Sequence, residues 1–300
     1  MIKPTYIFCS FLLILFISCQ KKLPESFQLN LNQLQDSTKI EFSVTGLAGP
    51  EAVRYDNDMD VFFISNFNGG GNVRDENGFI TMVSQRGTIL DMKYMVGTQD
   101  HPLHAPRGMF IVDKEMFVAD IDGVHVFNKI TGEWLQFIDF SSFNPGFLND
   151  ISSDGSSTLF VTDTGTASVY KIENYIPSVY LDSLSIYPNG ITYNSSTNEF
   201  LLLPWRGDKS FYSFNASIDT LKLFSSLSGG FFDGAEYIGN TLLVTSQLDS
   251  AIYAFDGKQE SLIIKTVGSP ADIGLDTRRH VLGVPYINLN RVDFWKLPMN

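Results

Sequence analysis

The chain of 300 residues holds only two cysteines, Cys9 and Cys19, and both precede the part that can fold. A body without thiols forms no disulfide, offers no thiolate to zinc and has no cysteine nucleophile. Basic clusters are equally scarce. Lysine and arginine number 21 against 33 acidic residues, giving a net charge of −12, and no basic stripe interrupts that background. Nucleic acid would meet net repulsion, which argues against it as a partner. Helical periodicity is nearly missing. The one glycine run, Gly69–Gly71, is not followed by Gly-Lys-Ser/Thr, so it is not a phosphate loop. No Pro/Gly/Ser-rich linker divides residues 38–300, so about 260 residues must form one body.

One apolar run stands out, Ile7–Ile17 after Lys3, too short and too N-terminal for a good membrane span. It ends in Phe16-Ile17-Ser18-Cys19, followed by Gln20-Lys21-Lys22. A small residue before a cysteine at the end of an apolar core resembles the lipobox of bacterial lipoproteins. The expectation is a signal peptide over 1–18, lipidation at Cys19, and a polar tether completing 19–37. The protein would then sit in the bacterial cell envelope, lipid-anchored, facing the periplasm or the cell surface. Loss of the signal removes a single charge, Lys3, and leaves the mature chain still more acidic.

Within 38–300, short runs rich in Val, Ile, Phe and Tyr alternate with Asp, Asn and Gly turns. Six of these runs share a pattern: Pro50-Glu51-Ala52-Val53, Pro106-Arg107-Gly108-Met109, Leu148-Asn149-Asp150-Ile151, Pro188-Asn189-Gly190-Ile191, Phe232-Asp233-Gly234-Ala235 and Pro270-Ala271-Asp272-Ile273. The second position recurs at intervals of 56, 42, 40, 44 and 38 residues, a propeller-blade period. The predicted fold is all-β: a six-bladed β-propeller of four-stranded blades. Counting strands leaves the last blade one short, and Thr38–Val44 has the alternation to supply its outer edge and close the ring.

In a closed ring the repeated position converges on the axis, where it reads Glu51, Arg107, Asn149, Asn189, Asp233, Ala271. Two carboxylates and two amide oxygens suit a hard cation, most of all Ca²⁺, with Zn²⁺, Mg²⁺ or Mn²⁺ as alternatives. The metal ligands expected are Glu51, Asn149, Asn189 and Asp233. Arg107 has two readings, a clamp for a substrate anion or an ion pair with Glu51. Asp233, Arg107 and His104 are the candidate catalytic residues, with His101 and His104 on a loop near the same face as proton carriers. The ends of the next strands predict a second ring at the pocket rim: Asn66 beside Ser65, then Asp120, Asp163, Trp205, Ser246 and Tyr286. The long polar segment Asn66–Asn77 reads as a mobile rim over the pocket.

With these residues in place, the chain resembles the SMP-30/gluconolactonase/LRE-like family of six-bladed propellers over roughly residues 45–298, as an exported lipoprotein branch. The resemblance implies an axial divalent cation held by Glu51, Asn149, Asn189 and Asp233, blade two being skipped, with Asp233 as ligand and general base. Paraoxonases and strictosidine-synthase-like proteins share a related arrangement. Two departures weigh against gluconolactone: Gly49-Pro50-Glu51 replaces Glu-Gly-Pro, and Phe147 stands where an Arg is expected. The function expected is a metal-dependent hydrolase of a lactone or ester. The alternative is a non-enzymatic envelope propeller that binds a protein or carbohydrate around a structural metal. Either way the expected partners are the membrane through the lipid and a lactone, ester or carbohydrate, with the protein monomeric.

Overall fold

The structure, a computed structural model, describes residues 38–207 and 209–298. The signal peptide, Cys19 and the tether therefore lie outside the described residues. Six four-stranded antiparallel sheets are arranged as a six-bladed β-propeller. Blade one is β2 (Pro50–Asp56), β3 (Val61–Asn66), β4 (Phe79–Ser84) and β5 (Ile89–Met95). Blade two is β6 (Met109–Val112), β7 (Glu115–Ala119), β8 (Gly123–Asn128) and β9 (Trp134–Asp139). Blade three is β10 (Leu148–Ser152), β11 (Leu159–Asp163), β12 (Ser168–Glu173) and β13 (Ile176–Leu181). Blade four is β14 (Ile186–Asn194), β15 (Glu199–Gly207), β16 (Ser210–Asn215) and β17 (Ile218–Ser226). Blade five is β18 (Phe232–Ile238), β19 (Thr241–Ser246), β20 (Ala251–Phe255) and β21 (Glu260–Lys265). Blade six is β22 (Gly274–Asp276), β23 (Val281–Tyr286) and β24 (Arg291–Lys296), completed by β1 (Lys39–Thr45) from the other end of the domain.

Strand β1 pairs antiparallel with β24 from Lys39↔Lys296 to Thr45↔Arg291, which closes the ring as the strand count predicts. Phe42 stacks on Phe294 at 4.5 Å, and Phe294 meets Phe62 of blade one at 4.7 Å, so the closing strand is glued into the next blade's core. The described core is six apolar clusters, each shared by two neighbouring blades. That distribution positions the site. Apolar side chains fill the wedges between sheets, and the axis is left to polar residues of the innermost strands.

The inner strands also touch one another. Blade six meets blade one through Val53 N donating to Asp272 O at 3.1 Å and Asp272 N to Glu51 O at 2.9 Å. In blade four the approach to blade five requires the glycine after the axial residue: a Cβ on Gly190 would lie 2.0 Å from the Asp233 carbonyl oxygen. Each inner strand starts at the face we call upper, where second strands end, and runs to the lower face.

Candidate functional site at the propeller axis

The four oxygen-bearing axial residues share a backbone feature that the other two blades lack. Pairing with the second strand slips between Pro50 and Val53, Leu148 and Ile151, Pro188 and Ile191, and Phe232 and Ala235. Glu51, Asn149, Asn189 and Asp233 each sit inside one of these irregularities, whereas β6–β7 and β22–β23 pair without a shift. A bulge re-aims a side chain and leaves backbone groups out of the ladder. Hydroxyls of the second strand satisfy them in three blades: Ala52 N donates to Ser65 Oγ at 2.9 Å, Asp150 N to Thr162 Oγ1 at 3.0 Å, and Gly234 N to Thr245 Oγ1 at 2.8 Å. The sequence places Ser65 at the pocket rim and assigns Thr162 and Thr245 no role, although each of the three precedes a residue assigned to the second ring.

All four axial side chains are only 3–4% exposed. Glu51 Oε2, Asn189 Oδ1 and Asp233 Oδ1 are buried and accept no hydrogen bond. Asn149 is oriented by its amide, which donates to Thr164 Oγ1 at 3.0 Å, and Gln247 Nε2 donates to Asp233 Oδ2 at 2.5 Å. Burial, then the Asp233 charge, pushes the Glu51 carboxyl well above the usual range, partly opposed by Arg107. Burial and the Asp150 charge push Asp233 up to about 7 against Arg107 and the Gln247 hydrogen bond. Below this tier, burial lifts Glu236 to about 7 and Asp150 to about 6, and Asp272 rises well above the usual range. Arg54 answers that lower tier, bridging blades one and five by an ion pair with Glu236 at 2.9 Å and donating from Nε to Met109 O at 2.7 Å. Five carboxyls thus share the channel with two guanidiniums.

Buried oxygens without partners are costly in a protein-only core, and a hard divalent cation takes oxygen ligands of this kind. Among the described residues no group of three or more His, Cys, Asp and Glu is placed to hold a metal. A site made here would instead combine the two acids with the two amide oxygens of Asn149 and Asn189.

Arg107 is 4% exposed and its guanidinium lies between the Phe67 and Phe147 rings, 4.9 and 4.8 Å from their centroids. It donates to Ala105 O at 3.2 Å, to Gly71 O, and to Asn72 Oδ1 at 3.0 Å. Its hydrogen bonds are therefore shared between the Ala105 carbonyl and the 66–77 segment. That segment is fastened further by Asn68 N to Ala48 O at 2.7 Å and Glu76 N to His104 Nδ1 at 3.3 Å. His104 is itself 8% exposed, with its backbone N donating to Asp120 Oδ2 at 2.6 Å. His101 stacks on Trp134 and Phe137 at 5.5 and 5.0 Å.

The second ring divides. Asn66, Asp120, Asp163 and Tyr286 are at most 1% exposed and lie within the structure. Asn66 Oδ1 accepts from Ala48 N at 3.1 Å; Asp120 accepts from the backbone of His104, Ala105 and Ile121; Asp163 accepts from Gly146, Phe147, Gly165 and Thr166. Tyr286 packs in the cluster between blades five and six. Ser246 is fully buried as well, so Trp205 alone of the six is partly open, stacked under the Arg206 guanidinium at 4.3 Å and set edge-on to Phe231 at 5.9 Å.

No protein-family model matches the chain, and no curated protein matches it. Among solved structures it is similar to a chain of a nidogen/laminin complex, at 13% identity and a TM-score of 0.56, covering 73% of this chain and 90% of that one. It is also similar to the β-propeller domain of Myceliophteria thermophila Cps50 (Swd1), at 11% identity and a TM-score of 0.59, covering 87% of this chain and all of that one. At these identities the likeness shows the propeller fold.

Proposed function

We propose that this protein is a cation-centred binding propeller of the cell envelope, in which Glu51, Asn149, Asn189 and Asp233 hold a divalent cation as a structural pin. One observation carries the reading. Three of the four candidate ligands present buried oxygens without partners, while the neighbouring Arg107 is engaged with the 66–77 segment. A cation there would neutralise the crowded acids and tie four blades together, far from bulk substrate. The upper loops then serve a protein or carbohydrate partner. Both propellers similar in fold, one of them from a protein–protein complex, are compatible with this use. Because β1 begins at the lower face, a lipid tether at Cys19 would reach the domain opposite the axial mouth.

A second reading, hydrolysis of a lactone or ester in a divergent gluconolactonase-like branch, draws on Asp233. Its carboxyl is raised to about 7 and keeps Oδ1 free, the properties of a general base near neutral pH. A bound cation would polarise the ester carbonyl. Asp233 Oδ1 would take the proton of the attacking water, with Gln247 holding the other carboxylate oxygen and Phe147 offering an apolar rather than charged wall.

Elemental analysis of the purified protein, paired with a panel of lactones and aryl esters, separates the two. The binding reading expects one tightly held divalent ion per chain, a lower melting temperature after chelation, and no turnover. Metal-dependent turnover abolished by Asp233→Ala would replace it with the hydrolase. Absence of any bound or bindable divalent ion would overturn both.

A further inference from the structure

On the lower face, away from the axial mouth, a groove of about 800 Å³ lies between blades two and three. Val112, Phe117, Leu159 and Ile172 make an apolar floor, and Tyr175 forms one wall. The Tyr175 ring stacks on Phe117 at 6.2 Å, its hydroxyl donates to Glu115 Oε2 at 2.8 Å, and the residue remains 43% exposed. Its backbone is unusual. Asn174 and Tyr175 form the two-residue turn between β12 and β13 with φ of 51° and 63°. Both positions of such a turn need the left-handed region, and the second favours glycine. A bulky aromatic kept there against its conformational preference is a recognised mark of a functional position.

The rim is acidic. Asp58, Asp113 and Glu115 line it against Lys114, and the neighbouring Lys129 is already held by Asp56 at 2.6 Å and Asp58 at 3.1 Å. The groove has no roof, since Asp113, Lys114, Asn174 and Tyr175 are all exposed. An open trough with an apolar floor, an aromatic wall and net negative rim suits an extended chain segment better than an engulfed small molecule.

We propose that this lower groove is a second binding site, which takes an extended peptide segment carrying apolar side chains and one lysine or arginine. The cation would sit at Glu115 and against the exposed Tyr175 face, while the apolar side chains cover Val112, Phe117 and Ile172. The site is independent of the axial cation and of the function proposed for it.

Isothermal titration of the full chain with acetyl-Leu-Lys-Leu-amide and with acetyl-Leu-Glu-Leu-amide tests this. The lysyl peptide is expected to bind about tenfold or more tightly than the glutamyl peptide, a difference of the size an aromatic–cation contact supplies. Glu115→Gln removes one charge from a strongly acidic protein, so a loss of lysyl binding there reports the groove and not general attraction. Tyr175→Gly suits the turn, so the variant should keep its circular dichroism spectrum and lose the peptide. Equal binding of both peptides, binding of neither, or wild-type affinity in both folded variants overturns the proposal.

Discussion

Chelated protein should lose stability as the pH rises from 5 to 8, the reverse of what salt-bridged surface acids produce. The reason is the crowding of acids at the axis. Asp233 titrates near 3.8 when unperturbed and at about 7 in the fold. An acid with a raised folded pKa makes the folded state the tighter proton binder. Its contribution is fully present below about pH 4 and is lost as the pH climbs toward 7. About two of the three pH units between these values fall within the range from 5 to 8, and at about 1.4 kcal/mol each they make about 3 kcal/mol from Asp233. Glu236 at about 7 and Asp150 at about 6 act with the same sign, as do the raised Glu51 and Asp272. For a domain of this size about 3 kcal/mol corresponds to roughly 8 °C in melting temperature. A divalent cation replaces the protons, so its binding should release protons and restore the loss. The assay is thermal unfolding in EDTA at pH 5, 6, 7 and 8, repeated with excess calcium, magnesium, manganese or zinc chloride. Asp233→Asn should make the EDTA profile shallower, the other raised acids keeping its sign, and should weaken the cation response. A melting temperature that is flat or rising across this range in EDTA, and indifferent to all four cations, refutes the reasoning.

Two further outcomes follow from the same geometry. Gly190→Ala forces a methyl to within 2.0 Å of the Asp233 carbonyl, which cannot yield like a flexible side chain; unfolding should show a loss of about 1–3 kcal/mol with cation stabilisation reduced in parallel. Arg107→Met keeps the packing between Phe67 and Phe147 but removes the bonds to Gly71 and Asn72, so amide exchange across 69–77 should accelerate several-fold or more, and Arg107→Lys should not restore it, because an ammonium cannot reproduce the planar fork.

Much of the fold was legible because it rests on local, repeated chemistry. Strand alternation and turn residues repeat about every forty positions, and six repeats with a spare strand at one end admit a closed ring. The assignment of Thr38–Val44 to the outer edge of blade six needed only a count. The axial residues could also be named, since equivalent positions in a ring must converge. Inner-strand boundaries were less legible: β22 begins at Gly274, whereas its alternation suggests a start at Asp272.

What lay beyond the sequence was the direction and partnership of particular side chains. Strand periodicity predicts which face a residue takes, but a slipped register overrides it, and the slips occur in the four blades whose axial residues bear oxygens. Asn66, Asp120 and Asp163 look like rim residues by position, yet their side chains turn inward because loop amides nearby would otherwise be buried unpaired. Arg107 reads as a substrate clamp or a partner of Glu51; two phenylalanines eighty residues apart and the carbonyl of Gly71 claim it instead. The channel's lower tier depends on Arg54 meeting Glu236 across 182 residues, a contact without any local signature. The sequence by itself determined the ring, its closure and the identity of the axial residues, because these follow from repetition. Only the tertiary structure decided which of those residues keep an oxygen free, because that depends on bulges and on partners that the closed ring brings together.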